Sequence, residues 1–422
     1  MRLLYTLLLT LLTPLIVLRL MLKGFQLPAY RARIAERFGF VPIVPEGVAV
    51  WVHAVSVGES LAALPLINRL IALHGECRVW VTTTTPTGSE RVRAALGDRV
   101  IHTYAPYDLP SVVARFLRRA KPQRVVVMET ELWPNLFHAL HARGIPLLIA
   151  NARLSPRSFK GYGRVAGFAK QVLSKVSVIA AQSRLDGERF HVLGAPDVRV
   201  IGNLKFDLAV PEAQLALGQQ WAAQWGAQRR VWAAVSTHPG EEQFFLDAQK
   251  HLVAAHPDVL LVLVPRHPQR FDDLFKLIEK MGLRGLRRSN PEADFAAPPQ
   301  VVLGDSMGEM FAYLEAAQVV FVAGSLAAIG GHNVLEPAAL AKPVLFGRHM
   351  DNFLAARELL LGCGAALEVP SLSDGYLPMT FADEVLLPLL TDLPRQHRMG
   401  IAGRDAVVAN RGALERLLEL LA

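Results

Sequence analysis

A regular alternation of short apolar runs with amphipathic stretches constrains this fold more than any other feature of the sequence, and it extends from Gly47 almost to the carboxyl end. Short apolar runs between turn residues predict buried strands, and amphipathic stretches predict helices. The alternation is typical of parallel sheets flanked by helices, so we predict an α/β fold. The predicted strands are Gly47–His53, Arg78–Thr83, Arg99–Tyr104, Arg124–Met128, Pro146–Ile149, Val176–Ala180, Val198–Ile201, Val231–Val235, Leu260–Val264, Val301–Leu303, Val319–Val322 and Val344–Phe346.

The alternation stops near Asp207–Gln214, where Pro211 interrupts it, and then starts again. We therefore predict an N-terminal domain over residues 23–207 and a C-terminal domain over residues 208–422, both doubly wound and facing each other across a cleft. In open parallel sheets, ligands bind beyond the carboxyl ends of the strands. The residues that follow each predicted strand are therefore the candidates for a functional site.

Residues 1–22 precede this alternation and predict a membrane anchor. Leu3–Leu18 carries no charge, and a helix over Leu3–Leu22 would be about 30 Å long, just enough to cross a bilayer. A helix lying on the membrane surface and a cleaved signal peptide are the alternatives. The basic residues that follow the apolar segment indicate that the rest of the chain lies on the cytoplasmic side; they are Lys23, Arg31, Arg33 and Arg37.

Glu59 is a candidate general base, because Ser56-Val57-Gly58-Glu59 follows the first predicted strand and opens a helix. Gly58 allows the backbone to approach a ligand closely. The dipole of a helix favours an ionised carboxylate in the first turn, which suits a proton acceptor. The alternative is that Glu59 only complements the helix dipole.

Two further candidates follow other strands. Glu129 comes directly after Arg124–Met128, where a buried carboxylate needs a partner, whereas Glu131 can cap the helix that Pro134 opens. Lys205 follows the last strand of the first half and can stabilise developing negative charge. A linker salt bridge from Lys205 to Asp207 is the alternative.

The basic charge is concentrated in Leu132–Leu185, a run of 54 residues without Asp or Glu. Its eight Lys and Arg residues equal the net charge of +8 of the whole chain. Next to an apolar N-terminal segment, this favours a phosphorylated lipid or an anionic membrane surface as the partner. A solvated basic surface is the ordinary alternative, and nucleic acid is disfavoured because no nucleic-acid-binding motif appears.

In the second half, three segments near strand ends suggest a nucleotide site. Arg266 and His267 end one strand and can hold a phosphate or a base, and Met307-Gly308-Glu309 leads into a helix. Gly330-Gly331 precedes Asn333-Val334-Leu335-Glu336, where paired glycines before a helix offer backbone N–H groups to an anion. Asn333 and Glu336 also have the spacing of a capping box, and Glu336 is a candidate for binding a ribose diol.

These motifs together resemble the 3-deoxy-D-manno-octulosonic acid (Kdo) transferases of lipopolysaccharide synthesis, over nearly the whole chain. The segments that carry the resemblance are His53–Ser60, Met128–Asn135, Asn151–Ser155, Gly202–Asp207, Pro265–His267 and Gly330–Pro337.

The resemblance implies a glycosyltransferase-B fold and an inverting enzyme that moves Kdo from CMP-Kdo to a lipid A precursor at the cytoplasmic face of the inner membrane. It implies Glu59 as proton acceptor, with Glu129 and Lys205 stabilising the transition state. It also implies no cofactor and no bound metal. The CMP-binding residues that it implies are Arg266, His267, Met307, Gly308, Glu309, Asn333, Val334, Leu335 and Glu336.

Three other functions remain open at this point. The first is another envelope glycosyltransferase-B enzyme that uses a UDP-sugar. The second is a nucleotide-sugar epimerase or hydrolase on the same fold, which has no need of an N-terminal anchor. The third is a protein without enzymatic activity that binds acidic lipid through the basic segment, and this leaves the carboxylates at the strand ends unexplained.

Overall fold

The chain forms two compact units in a computed structural model that describes residues 1–226, 228–290 and 298–421. The first unit comprises Met1–Asp207 together with Arg411–Ala422, and the second comprises Leu208–Asn410. Each unit contains one seven-stranded sheet, and the strands of both sheets are parallel. The prediction of an α/β fold with two parallel sheets is confirmed.

The first sheet has the strand order β3-β2-β1-β4-β5-β6-β7. Successive strands are added towards one edge from β1 to β3 and towards the other edge from β4 to β7. The strand order therefore reverses between β1 and β4, and a ligand is expected at the carboxyl ends of these two strands. The strands are β1 (Val48–His53), β2 (Val79–Thr83), β3 (Ile101–Tyr104), β4 (Pro122–Met128), β5 (Leu147–Ala152), β6 (Val178–Ala181) and β7 (Val198–Val200).

Helices cover both faces of this sheet. One apolar core surrounds Trp51, Trp80 and Phe116, and the other includes Val50 and Leu66. Because both faces are covered, β1 is buried at all six positions and reads as a continuous apolar run. The helices are α1 (Arg2–Gln26), α2 (Ile34–Arg37), α3 (Val57–His74), α4 (Pro86–Leu96), α5 (Pro110–Ala120), α6 (Pro134–His141), α7 (Pro156–Gly163), α8 (Ala166–Leu173) and α9 (Arg184–Val192).

The second sheet has the strand order β10-β11-β9-β8-β12-β13-β14, and this order reverses between β8 and β12. Its core packs around Trp232, Phe245, Phe321 and Phe381. The strands are β8 (Arg230–Thr237), β9 (Val259–Pro265), β10 (Gly285–Arg287), β11 (Val301–Leu303), β12 (Val319–Val322), β13 (Val344–Gly347) and β14 (Ala366–Val369).

The helices of the second unit alternate with these strands and then form the carboxyl-terminal part of the unit. A π-helical turn over Phe381–Leu386 joins two of them. The helices are α10 (Glu212–Gly226), α11 (Glu241–Ala255), α12 (Phe271–Lys280), α13 (Met310–Ala316), α14 (Leu335–Ala339), α15 (Leu354–Gly362), α16 (Pro378–Thr380), α17 (Leu387–Thr391) and α18 (Leu393–Ala409).

The last helix, α19 (Ala413–Glu419), belongs to the first unit, although the sequence analysis assigns residues 208–422 to the second domain. The carboxylate of Asp207 caps it, because its oxygens accept the N–H groups of Gly412 and Leu414, both at 2.6 Å. Leu417 of α19 is buried in the core beneath α3. Apolar burial and a side-chain cap therefore hold α19, near the carboxyl end of the chain, in the first unit.

The sequence missed two strands, β10 and β14, and both lie at edges of the second sheet. They are three and four residues long and contain Arg287 and Glu368, which are partly exposed. An edge strand is paired on one side only and needs no continuous apolar run, so its pattern is weak. The helix that Met307-Gly308-Glu309 is predicted to lead into begins at Met310.

Candidate active site

The first unit brings Glu59, Glu129 and Lys205 together at the carboxyl ends of β1 and β4, where the sheet reverses its order. Glu59 lies in the first turn of α3, directly after β1, and Glu129 follows β4. The charges of Glu59 and Lys205 both act on the pKa of Glu129, which shows that the three groups are neighbours. Arg153, which follows β5, is a further neighbour in the same group.

Glu59 is buried, and its local contacts explain its orientation. Ser56 is the N-cap of α3, and its hydroxyl oxygen accepts the N–H of Glu59 at 3.2 Å. The Oε2 atom of Glu59 in turn accepts the N–H of Val55 at 2.8 Å. The carboxylate therefore bonds to the backbone of the residue before the N-cap, and this bond, together with the cap from Ser56, fixes the position of the side chain.

Glu129 has a left-handed backbone conformation, with φ of 54°, which is uncommon outside glycine. Its N–H donates to Ala150 of the neighbouring strand at 2.8 Å, so the backbone turns immediately after the last ladder bond. Burial raises the pKa of Glu129, the Glu59 carboxylate raises it further, and Lys205 and Arg153 lower it. A strained, half-buried carboxylate beside a second carboxylate is typical of a functional site.

Lys205 is held by a network of amide side chains. Asn203 accepts the N–H of Lys205 at 3.0 Å, and Asn151 accepts the N–H of Leu204 at 3.0 Å. Gln182 bridges the two asparagines, since it donates to the Asn151 carbonyl at 2.8 Å and accepts from Asn203 at 3.1 Å. Burial lowers the pKa of the Lys205 ammonium, and Glu129 opposes that shift.

Glu131 does not cap α6, and the carboxylate of Asp207 has a structural role of its own. Asp207 caps α19, as described above. Glu131 accepts a hydrogen bond from the Trp133 indole at 3.0 Å, and the cap of α6 comes instead from Asp108, which accepts the N–H groups of Asn135 and Leu136 at 3.0 and 2.7 Å. Burial raises the pKa of Asp108 to about 7.

In the second unit, Arg266 and His267 follow β9, beside the end of β8. The N–H of Arg266 donates to Thr237 at 3.0 Å. Within the described ranges, the buried hydroxyl of Thr237 has no hydrogen-bond partner. The imidazole of His238, the next residue, makes an edge-to-face contact with that of His267, with the ring centroids 5.4 Å apart.

His238 also contacts His332, and the two Nε2 atoms lie 2.8 Å apart between stacked rings. Burial lowers the pKa of His332 to about 4, and the charges of His238 and Arg266 add to this shift. His332 is therefore neutral at physiological pH, and one imidazole donates to the other. Arg266, His267 and His332 thus form one polar group at the end of the sheet where its order reverses.

Asn333 and Glu336 do not form the predicted capping box. Helix α14 begins at Leu335, one residue later than a cap at Asn333 requires, and is five residues long. The two side chains bond to each other instead, with Asn333 Nδ2 donating to Glu336 Oε1 at 3.0 Å, while Asn333 Oδ1 accepts the N–H of Leu335 at 3.1 Å. Burial raises the pKa of Glu336, and the bond from Asn333 opposes the shift.

The segment Met307-Gly308-Glu309 follows β11, which neighbours β9 in the sheet. Glu309 forms an ion pair with Arg288 at 3.1 Å and accepts a bond from Ser306. Gln214 of α10 donates to the Gly308 carbonyl at 2.7 Å. The segment is therefore firmly held, and the exposed side chain of Met307 is its most accessible part.

Sequence reasoning missed Glu241, which organises the second unit near its histidines. This carboxylate is completely buried, and its oxygens accept the N–H groups of His238, Gly324, Ser325 and Leu326 at 2.8–3.1 Å. It thereby fixes the loop after β12 against the loop after β8. The only available signal was its position in Thr237-His238-Pro239-Gly240-Glu241, directly after the first strand of the second half.

Comparisons with known proteins identify relatives over the whole chain. The family model described as 3-deoxy-D-manno-octulosonic-acid transferase (kdotransferase) matches residues 32–208. The 3-deoxy-D-manno-octulosonic acid transferase of Haemophilus influenzae is 41% identical over 421 residues, which cover 99% of this chain and 97% of the relative. The enzyme of the same name from Bordetella pertussis is 39% identical over 430 residues, covering 99% and 98%.

A solved structure also shares the fold. UDP-GlcNAc 2-epimerase from Neisseria meningitidis, bound to UDP-GlcNAc, aligns with a TM-score of 0.56 at 15% identity and covers 89% of this chain and 99% of its own. At this level of identity the likeness concerns the fold alone, which is of the glycosyltransferase-B type.

Proposed function

The chain belongs to the 3-deoxy-D-manno-octulosonic acid (Kdo) transferase family and is a glycosyltransferase, and from this premise we propose that it transfers Kdo from CMP-Kdo to a lipid A precursor with inversion at the anomeric carbon. The observation that carries the proposal is the grouping of Glu59, Glu129 and Lys205 where the first sheet reverses its order. A proton acceptor, a second carboxylate and a cation in one place suit a glycosyl transfer.

In the proposed reaction, Glu59 acts as general base. A hydroxyl oxygen of the acceptor attacks the anomeric carbon of Kdo while the bond from that carbon to the phosphate oxygen of CMP breaks. The proton of the hydroxyl passes to Glu59, and CMP leaves with the bonding electron pair. The hydrogen bond from Val55 occupies Oε2 of Glu59, so we assign Oε1 to the proton.

Glu129 and Lys205 are proposed to stabilise the charges of the transition state. The breaking bond leaves positive charge on the sugar ring, which a carboxylate such as Glu129 stabilises. Lys205 lies beside both acids, as the pKa of its ammonium responds to Glu129 and Glu59. Its positive charge keeps Glu129 more acidic than burial alone would, and it attracts the acidic donor sugar.

The second unit is proposed to hold the CMP group. Arg266 supplies a guanidinium for the phosphate, and the imidazoles of His267 and His332 supply polar contacts beside it. The unpartnered hydroxyl of Thr237 offers a further hydrogen bond at the same strand end. Met307-Gly308-Glu309 and Asn333-Val334-Leu335-Glu336 complete the proposed nucleotide contacts.

The acceptor and the cellular location are part of the same proposal. A phosphorylated glycolipid accounts for the basic run Leu132–Leu185, whose Arg153, Arg157, Lys160 and Arg164 are exposed. One helix, over Arg2–Phe25, is long and apolar enough to cross a membrane. We place the enzyme on the cytoplasmic face of the inner membrane, where both substrates would meet it.

The test is transfer of radiolabelled Kdo from CMP-Kdo to a tetra-acylated lipid A precursor by the purified full-length protein in detergent. We expect a labelled glycolipid whose formation requires both substrates. Parallel reactions with UDP-sugars test the alternative envelope glycosyltransferase. Turnover of a UDP-sugar without turnover of CMP-Kdo would reject the proposed donor, and Kdo transfer only to a different acceptor would reject the lipid A precursor.

A further inference from the structure

Helix α1 has two unlike faces along its whole length. The outer stripe consists of leucines that are 51–66% exposed: Leu4, Leu8, Leu11, Leu15, Leu18 and Leu22. The covered stripe lies on the opposite side and is less exposed at every position: Tyr5, Thr6, Leu9, Thr13, Ile16 and Leu20. Both sets follow the three- and four-residue spacing of one helix face, so one side of α1 is less exposed than the other along the helix.

Polar contacts fix the amino-terminal end of α1 to the body. The Thr6 hydroxyl donates to Asn135 at 3.1 Å, and the Tyr5 hydroxyl bonds to the buried Asp108. The Tyr5 ring also packs against Phe168 of α8, with the centroids 6.5 Å apart. The first turn of α1 therefore contacts residues more than 100 positions away in the chain.

The carboxyl-terminal end of α1 is fixed as well. Arg31 donates through Nε to the Met21 carbonyl at 3.2 Å, and its guanidinium lies 3.8 Å from the centroid of the Phe25 ring. The ammonium of Lys23 lies over the ring of Tyr30. The amino-terminal end of the helix is thus bonded to the body, and its carboxyl-terminal end contacts the segment that follows it.

These contacts are incompatible with a helix that crosses the bilayer. A spanning helix passes through about 30 Å of hydrocarbon. The 25-residue α1 could do so only if Asp108 and Asn135 entered the hydrocarbon with it or if the contacts of Tyr5 and Thr6 were broken. A helix that lies in the membrane plane keeps all of them and presents the outer stripe of leucines to lipid.

The charge around the outer stripe matches an anionic lipid surface. Arg19 and Lys23 of α1 are exposed. Helix α8, which packs against Tyr5, carries the exposed Lys170, and α7 before it carries the exposed Arg157 and Lys160. Basic residues beside an apolar helix face are typical of helices that lie at the interface of anionic membranes.

We propose that α1 does not span the membrane but lies in its plane, with the outer stripe inserted below the headgroups of one anionic leaflet and the covered stripe on the body. This inference rests on the proposed membrane location and specifies how the enzyme is attached. The body and the first residue of the chain are then on the same side of the bilayer.

Fluorescence quenching measures the depth of the outer stripe. Single cysteines replace Leu4, Leu11 or Leu18 in full-length protein that carries C77S and C363S, and each is labelled with bimane. The protein is bound to phosphatidylethanolamine–phosphatidylglycerol vesicles that contain nitroxides at shallow or deep acyl positions. A matched label at Thr13, on the covered stripe, is the control.

We expect Leu4, Leu11 and Leu18 to report one common shallow depth and Thr13 to be quenched less. A deeper position for Leu11 than for Leu4 and Leu18 would overturn the proposal in favour of a spanning helix. Absence of quenching at all three would also overturn it, since the stripe would then be covered by something other than lipid, such as a second copy of the chain.

Sidedness provides an independent measurement. In spheroplasts, a membrane-impermeant maleimide is applied to Arg2→Cys in the C77S/C363S background and, separately, to a C363S protein whose exposed Cys77 reports the side of the body. We expect both sites to react only after lysis, whereas reaction of position 2 alone in intact spheroplasts would overturn the proposal. Kdo transfer to detergent-dispersed acceptor is also measured for each protein. This assay tests the proposed function without a membrane, so its failure is distinguished from failure of the proposed position of α1.

Discussion

Replacing Glu59 by Gln separates the chemical role of this side chain from its structural one. Glutamine has nearly the same shape and retains an amide oxygen that can accept the N–H of Val55, now 2.8 Å from Oε2. It cannot take a proton from an acceptor hydroxyl. We therefore expect Glu59→Gln to fold and bind CMP while kcat falls by about 10²–10⁴-fold, the usual effect of losing a positioned base.

The two effects differ enough in size to be resolved. A fall of 10²–10⁴-fold in rate corresponds to about 3–5 kcal/mol of transition-state stabilisation. Exchanging a charged for a neutral acceptor of the Val55 N–H weakens one hydrogen bond and should lower the free energy of unfolding by only about 1 kcal/mol. Loss of activity through unfolding would need a far larger change in stability.

Ser56→Ala is the matched control, because Ser56 accepts the N–H of Glu59 at 3.2 Å and has no proposed chemical role. Loss of an N-cap serine costs about 1 kcal/mol of stability. We expect this variant to match Glu59→Gln in urea unfolding but to keep kcat within about threefold of the wild type, since the carboxylate remains.

The assays are Kdo transfer under saturating substrates, CMP affinity by calorimetry, and urea unfolding monitored by tryptophan fluorescence. Near-normal turnover by Glu59→Gln would refute the role of general base. Equal losses of kcat in Glu59→Gln and Ser56→Ala would instead assign the effect to the geometry of the helix cap.

Three further predictions concern metal, charge and pH. EDTA should leave transfer largely intact, because Arg266 and Lys205 supply the positive charge that a metal would otherwise provide; abolition by EDTA with recovery on adding magnesium would contradict this. The variant Asp108→Asn should gain stability relative to the wild type as pH rises from about 4 to 7. Burial raises the pKa of Asp108 to about 7 in the folded protein, above its ordinary value of 3.8. The contribution of Asp108 to wild-type stability is therefore fully present below about pH 4, and at most about 4 kcal/mol of it is lost by pH 7, which urea titrations of both proteins measure. Neutralising Arg153, Arg157, Lys160 and Arg164 together should raise the KM for acceptor about 10²–10³-fold and leave CMP affinity unchanged, because each charge near an anionic surface contributes about 1 kcal/mol. Unchanged acceptor kinetics would contradict this prediction.

The strands of both sheets could be predicted because burial on two faces leaves a strong local signal. Val259–Pro265 is apolar at every position, for example, and all seven positions are buried. The edge strand Gly285–Arg287 could not be found in this way, since one flank is unpaired and Arg287 pairs with Asp272 at 2.7 Å. The assignment of α19 to the first unit also left no local signal, because it depends on Asp207, more than 200 residues earlier.

In the candidate site, too, some residues could be predicted from the sequence and others could not. Glu59, Glu129 and Lys205 could be proposed from sequence because each directly follows a strand or opens the next element. The residues that support them act through distant partners. Asn151 holds the segment of Lys205 from 53 residues away, and Glu241 holds the loop at Gly324 from 83 residues away. No pattern within one segment carries such contacts.

In the structure, the two explanations of Glu59 are compatible with each other. From the sequence, a carboxylate that only complements the helix dipole and a general base are competing explanations, because each accounts for an acid in the first turn of α3. A carboxylate has two oxygens, however, and the bond from Val55 uses only Oε2. The structural role and the role of base can therefore belong to the same residue, and the bond from Val55 would serve the chemistry by holding the second oxygen in place. Structural and catalytic explanations of a buried polar residue exclude each other only when its bonding capacity is exhausted.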